Sequence, residues 1–305
     1  LLLRYVLHRF VKRCQPMRNP VSCIRNGSHF IVTVDNPPVN ALSRVVREGL
    51  VQAVKTGTED KDSELILISC EGTTFIAGAD IAELNSGLKS PGLTEFIEAC
   101  DACSKPIIGV IHGHCFGGGL VVALACDYRI CTSDATFAMP EVGLGLLPTF
   151  GGTQNLPRLV GTENAAHMIL HLKTVNAEAA LRQKLVDRII EGQTAADVVS
   201  DPTSSIPAMY SIKRRVAAMT DHYSDDVHLI LNRFQHLPHA DLRKERAYRL
   251  SLGLLARWQE DDRQKVLRDE HAMFIELLNS AESVALRQDF FSTRSAGKTL
   301  NKALD

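Results

Sequence analysis

The sequence has no uninterrupted apolar run near the roughly 18–20 residues that a membrane-spanning helix needs. It has no surplus of charge either: 34 Lys and Arg against 35 Asp and Glu leave a net charge of −1, which excludes a protein built to coat nucleic acid. Cysteine is sparse, eight in 305 residues, far below a disulfide scaffold. Several cysteines lie in apolar runs such as Leu124-Ala125-Cys126, where a thiol acts as a small hydrophobe, so a reducing compartment is expected. Glycine (20) and proline (12) are too few for a collagen-like chain, and 45% hydrophobic residues exclude disorder. What remains is a folded chain of one large or two modest domains, long enough to bury a full core.

Charge is unevenly placed. Residues 1–34 hold Arg4, Arg9, Lys12, Arg13, Arg18 and Arg25 and no acid, a charge of +6 that leaves −7 for the rest. Leu3, Val6, Leu7 and Phe10 fall at helical spacing, an acid-poor amphipathic start that reads as upstream sequence or as a targeting segment over residues 1–20. Val21–Ile24 and Phe30–Val34 form a predicted hairpin about Asn26-Gly27. Ser43 then stands as the N-cap of a helix running to about Lys55. Leu65–Cys70, Ile107–Ile111 and Tyr128–Cys131 read as buried strands, alternating with helices at about 92–104 and 118–126. This is an α/β core over residues 21–200 with a largely parallel sheet. Over 201–305 the pattern turns helical, with Leu242–Trp258, Gln264–Leu278 and Val284–Lys298 charged and periodic.

Four segments carry candidate chemistry. Phe75-Ile76-Ala77-Gly78-Ala79-Asp80-Ile81 has small residues that let backbone N–H groups approach a ligand, and reads equally as a turn capped by Asp80. His112-Gly113-His114-Cys115-Phe116-Gly117-Gly118-Gly119 opens a helix, exposing unpaired N–H groups suited to a phosphate or a developing oxyanion. It is neither a Walker loop nor a GxGxxG fingerprint. In Met139-Pro140-Glu141-Val142-Gly143-Leu144-Gly145 a lone carboxylate sits among apolar residues, where burial makes it a candidate general base; a helix-capping or solvent-facing Glu is the plainer alternative. Gly151-Gly152-Thr153-Gln154-Asn155-Leu156-Pro157-Arg158 reads as a glycine entry to a helix.

In order and spacing the four segments resemble the crotonase (enoyl-CoA hydratase/isomerase) superfamily over about residues 21–192. The likeness is greatest to the N-terminal part of the multifunctional fatty-acid β-oxidation enzymes. Asn36-Pro37-Pro38-Val39-Asn40-Ala41-Leu42-Ser43 and Phe274-Ile275-Glu276-Leu277-Leu278 through Phe290-Phe291-Ser292-Thr293-Arg294 share it. The resemblance implies an α/β fold of the ClpP/crotonase type, a spiral of β-β-α units with a helical C-terminal subdomain. It implies an acyl-CoA thioester substrate, with CoA part of the substrate rather than a cofactor, and no metal. It assigns the oxyanion hole to the N–H groups of Ala79 and Gly118. CoA and substrate contacts fall at Ala77, Gly78 and Gly117, and the base is Glu141. Hydratases of the family carry a second glutamate in Gly-Gly-Gly-x-Glu; that position is Val121 here, which can neither accept a hydrogen bond nor move a proton. Isomerisation of 3-enoyl-CoA to 2-enoyl-CoA with impaired hydration is therefore expected. A hydratase part of a hydratase/dehydrogenase and a non-catalytic acyl-CoA-binding homologue remain the alternatives. A phenyl ring at Phe150, where the family has a small residue, is expected to narrow the acyl pocket or alter the Glu141 loop.

Other features read as structural. Cys100-Asp101-Ala102-Cys103 ends a helix and has no second pair, so packing is expected rather than zinc. His112 and His114 read as packing or backbone-bonded residues, and Asp127 and Asp134 lack the partners of a hydrolase triad. The charges of the C-terminal helices are expected on a solvated face. No GxGxxG follows a strand, so a dehydrogenase part is absent from this sequence, and either that part or a second copy of the chain is the expected partner. Lys302-Ala303-Leu304-Asp305 is not a peroxisomal Ser-Lys-Leu signal, and a cytoplasmic or mitochondrial location is expected.

Overall fold

The computed structural model describes residues 19–86, 90–190, 195–200, 226–236, 241–259 and 262–302. The leader expected over residues 1–20 lies almost wholly outside these. β1 (Val21–Asn26) and β2 (His29–Val34) form the antiparallel hairpin, with Gly27 at φ +57 in the turn. β3 (Leu65–Cys70), β4 (Ile107–Ile111), β6 (Tyr128–Thr132) and β9 (Arg188–Ile190) then add in parallel, giving the order β1-β2-β3-β4-β6-β9. Every residue of β3, β4 and β6 is buried, as strands covered on both faces require. A second sheet, β5 (His114–Phe116), β7 (Thr136–Ala138) and β8 (Val175–Asn176), has the order β5-β7-β8.

Helices make the crossovers: α1 (Arg44–Glu59) from β2 to β3, α2 (Ile81–Ser86) and α3 (Leu93–Ala102) from β3 to β4, and α4 (Gly118–Ala125) from β5 to β6. Ser43 occupies the N-cap of α1, but its side chain makes no capping bond; Glu83 Oε1 instead accepts from Arg44 N–H at 2.7 Å. Asp80 does cap α2, accepting from Ala82 N–H at 2.9 Å.

Beyond the sheets lie α5 (Gly152–Val160), α6 (Thr162–Leu170), α7 (Glu245–Leu255), α8 (Arg263–Leu278) and α9 (Ala281–Lys302). All residues of α5 are buried, because C-terminal elements cover the face that the core leaves open. Gln154 Nε2 donates to Leu254 O at 3.1 Å, Arg158 Nη2 donates to Trp258 O at 2.8 Å, and Trp258 Nε1 donates to Thr162 Oγ1 at 3.0 Å. Tyr248, Leu255 and Trp258 pack in the same apolar cluster as the sheet residues Val32 and Ile68. The expectation of a solvated charged face holds in part only. Glu270 and Arg287 are fully buried, on the side where α8 and α9 meet the core.

Candidate active site

Strand register assembles the first half of the site. Ile76 forms a parallel bridge to Cys115, with Ile76 N–H donating to His114 O at 3.2 Å and Phe116 N–H donating to Ile76 O at 3.0 Å. Three residues on from each partner stand Ala79 and Gly118, so a shared register carries two segments distant in sequence to one place. A β-carbon at Gly118 would lie 3.8 Å from Ala79 N. Neither N–H is spent on a backbone carbonyl among the described residues, and Gly118 opens α4, where the first amides of a helix have no intrahelical acceptor. Helix α4 approaches so closely because Gly119 has no side chain: a β-carbon there would sit 2.2 Å from Ile76 O.

The carboxylate comes from the other side. Glu141 opens a short 3-10 turn (Glu141–Leu144) directly after β7 and Pro140. Its carboxyl reaches back to the glycine run, where a β-carbon at Gly117 would stand 3.0 Å from Oε1. Gly117 is also at φ +52, a backbone conformation that side chains resist, so both geometry and space ask for glycine there. Glu141 Oε2 is buried and has no hydrogen-bond partner, although the residue as a whole is open to a cavity. Burial pushes its pKa up to about 7 and the charge of Glu270 adds to the rise, while its own backbone N–H works the other way.

All of these groups border a cavity of about 950 Å³. Ala77, Gly78, Ala79, Gly117 and Gly118 line it on the core side with Glu141. Val121 also lines it, 3% exposed and one helical turn beyond Gly117. The opposite wall is formed by Phe150 and by His271, Phe274 and Phe290 of the C-terminal helices. A second space of about 430 Å³ adjoins the first, and Thr94, Glu98, Val121, Phe150 and His271 line both. Phe150 stands at φ +58, with its ring 5.8 Å from that of His271 and 6.5 Å from that of Phe274.

Of the residues read as structural, His112 bonds to backbone as expected, whereas His114 is exposed and bonds to a side chain. His112 Nε2 bonds to Gly72 O at 3.1 Å, His114 Nδ1 to Thr136 Oγ1 at 2.8 Å, and Asp127 accepts from Ile107 N–H at 2.8 Å. Cys100 and Cys103 are buried in the core, and no group of three or more potential metal ligands occurs among the described residues. What sequence reasoning missed is the share of α8 and α9. A signal for Glu270 existed: it falls four residues after Val266 and four before Phe274, on the apolar stripe of α8.

Residues 25–244 match the family model described as enoyl-CoA hydratase/isomerase. The chain is 32% identical over 277 residues to a peroxisomal bifunctional enzyme of Danio rerio, covering 88% of this chain and 37% of that protein. It thus spans little more than a third of that relative's length. It is 38% identical over 188 residues to a probable enoyl-CoA hydratase of Bacillus subtilis, covering 59% of this chain and 72% of the relative. Among solved structures, an enoyl-CoA hydratase/isomerase from Pseudoalteromonas atlantica matches with a TM-score of 0.66 at 24% identity, over 90% of this chain and 97% of the other, a likeness of fold. The fold, the two-segment amide site and the family match meet in one conclusion: the chain belongs to the enoyl-CoA hydratase/isomerase, or crotonase, family.

Proposed function

We propose that the protein moves the double bond of a 3-enoyl-CoA ester to the 2-position, with Glu141 as the only proton carrier. The observation that carries this reading is a buried carboxylate oxygen of Glu141 without a partner, in a cavity where Val121 stands at the position that the resemblance gives to a hydratase's second glutamate. Ionised Glu141 takes a proton from C2 of the substrate. The C–H electron pair enters the C1–C2 bond and the thioester oxygen takes up negative charge, which the Ala79 and Gly118 N–H groups accept as donors. Such a donor is typically worth about 10²–10³ in rate. The enolate then returns its electrons, the C3–C4 double bond becomes C2–C3, and Glu141 gives its proton to C4. Proton and charge both balance, and the carboxylate is restored.

Hydration makes a different demand, a water positioned and activated between two acids. The likeness to a probable enoyl-CoA hydratase of Bacillus subtilis favours that second reading, and Val121 opposes it, since loss of one acid–base group typically costs about 10²–10⁴. The test offers 3-enoyl-CoA and 2-enoyl-CoA separately to the purified protein, with Val121→Glu alongside. Conversion of the 3-enoyl ester with little hydration is expected, and hydration should rise in Val121→Glu. Binding of both esters with turnover of neither overturns the proposal in favour of a non-catalytic binding role.

A further inference from the structure

The segment that follows Glu141 is held at both ends by the C-terminal helices. At its near end, Ser283 Oγ of α9 donates to Leu144 O at 2.9 Å, and Arg287 Nη1 donates to Ser283 Oγ at 2.5 Å. Arg287 Nε also reaches Asn85 Oδ1 at 2.8 Å, tying this clamp to α2. At its far end, the carboxylate of Glu270 accepts from Gly151 N–H at 2.7 Å, from Thr153 N–H at 3.2 Å and from the Thr153 hydroxyl. Gln154 Nε2 donates to Thr153 Oγ1 at 3.0 Å, which commits the hydroxyl proton to Glu270. Between the two clamps lie Thr149 and Phe150, both on the cavity wall.

This is an unusual way to cap a helix. The N-terminus of α5 could be capped by a neutral Ser or Asn of its own loop, with no charge taken out of water. Gly151 holds that position instead, and a fully buried acid from α8 does the work. Burying a carboxylate is costly, and three donors at a helix N-terminus offset the cost only while it stays ionised. Two acids thus share one buried region: burial pushes Glu270 up to about 7 against its three donors, and its charge adds to the rise at Glu141.

We propose that Glu270 is a positioning residue for the Glu141 chemistry, fixing the Thr149–Gly152 corner against α8 and adding its negative charge to the buried surroundings of the base. The inference rests on the reading of Glu141 as the proton carrier. Other charges surround the pair. Arg263 of α8 attracts Glu270, and Arg263 is in turn coupled to Asp101 of α3 and to Arg158 of α5. Arg47, Glu95, Glu98 and His271 line the same cavity as Glu141.

The test is Glu270→Gln, which keeps the shape and removes the charge. The acid limb of the pH–rate profile for 3-enoyl-CoA should move down by roughly half a unit, with kcat lower several-fold and KM little changed. Leu277→Ala, buried on the same helix but away from the cavity, should lower stability and leave the limb in place. An infrared titration of the Glu141 carboxyl, assigned with Glu141→Gln, reads the same shift without turnover. A shifted titration in a protein that does not turn over would keep the Glu270 coupling and sink the base assignment. An unmoved limb and titration in Glu270→Gln overturn the inference. Should that variant not fold, Glu270→Asp keeps the charge with a shorter reach, so the titration should stay and kcat fall; a moved titration with unchanged kcat overturns it equally.

Discussion

The two walls of the cavity are built by opposite means. The core wall offers main-chain atoms: Ala79 and Gly118 amides brought together by strand register, with glycines wherever a side chain would collide. The C-terminal wall offers side chains: rings at Phe274 and Phe290, and polar clamps at Glu270, Ser283 and Arg287. Glu141 stands between them, on a turn attached to the core but pinned by the helices. A backbone site tolerates almost no substitution at its glycines, whereas a side-chain wall can change composition while the fold persists. The first wall therefore sets what chemistry the molecule does, and the second sets how strongly and on what.

That contrast can be broken experimentally. The largest effect is expected from Glu141→Gln, which should cut isomerisation by about 10²–10⁴ while leaving acyl-CoA binding intact, read by steady-state kinetics and calorimetric titration. Because the base must be ionised and its pKa lies at about 7, the wild-type rate should rise with pH through that value. Next comes Gly119→Ala, whose added carbon would meet Ile76 O at 2.2 Å; a loss of about 3 kcal/mol in denaturant unfolding is expected. A stability profile against pH is third. Glu141 and Glu270 both rise from 4.5 to about 7 on folding, so the stability they contribute is complete below about 4.5 and is lost as pH climbs through about 7. Melting temperatures should fall across that window in wild type, and less steeply in Glu141→Gln. Smallest is Ser283→Ala, which removes the hydroxyl's bonds to Leu144 O and from Arg287 and should cost about 2 kcal/mol in the same unfolding assay. If Ser283→Ala also abolished turnover outright, the division of labour between the walls would be wrong.

Legibility in the sequence follows the same division. Backbone sites leave a local mark, since glycine and alanine must fall at fixed places; Ala77-Gly78-Ala79 and Gly117-Gly118-Gly119 could be read without coordinates. The strands were equally readable, because burial on both faces makes Leu65–Cys70 continuously apolar. Helix α5 was visible from its glycine entry, but not the reason that all of it is buried, which depends on partners about a hundred residues away. The C-terminal clamps left only faint marks. Glu270 interrupts an apolar stripe, and Ser283 and Arg287 are one helical turn apart in a charged helix, patterns shared with many solvated surfaces. Phe150 showed as a bulky residue in a small-residue position, whereas its place between two spaces required the packed helices.

The position of that one ring has a consequence for how substrate range can change. The larger and smaller spaces share a wall in which Phe150 is the largest side chain, and the 430 Å³ behind it already exists as part of the packed structure. If the cavity holds an acyl chain, as proposed, room for a longer one needs neither moved helices nor a rebuilt loop. On the proposed reading the extra volume is held in reserve, and a smaller residue at Phe150 would join it to the cavity that Glu141 borders.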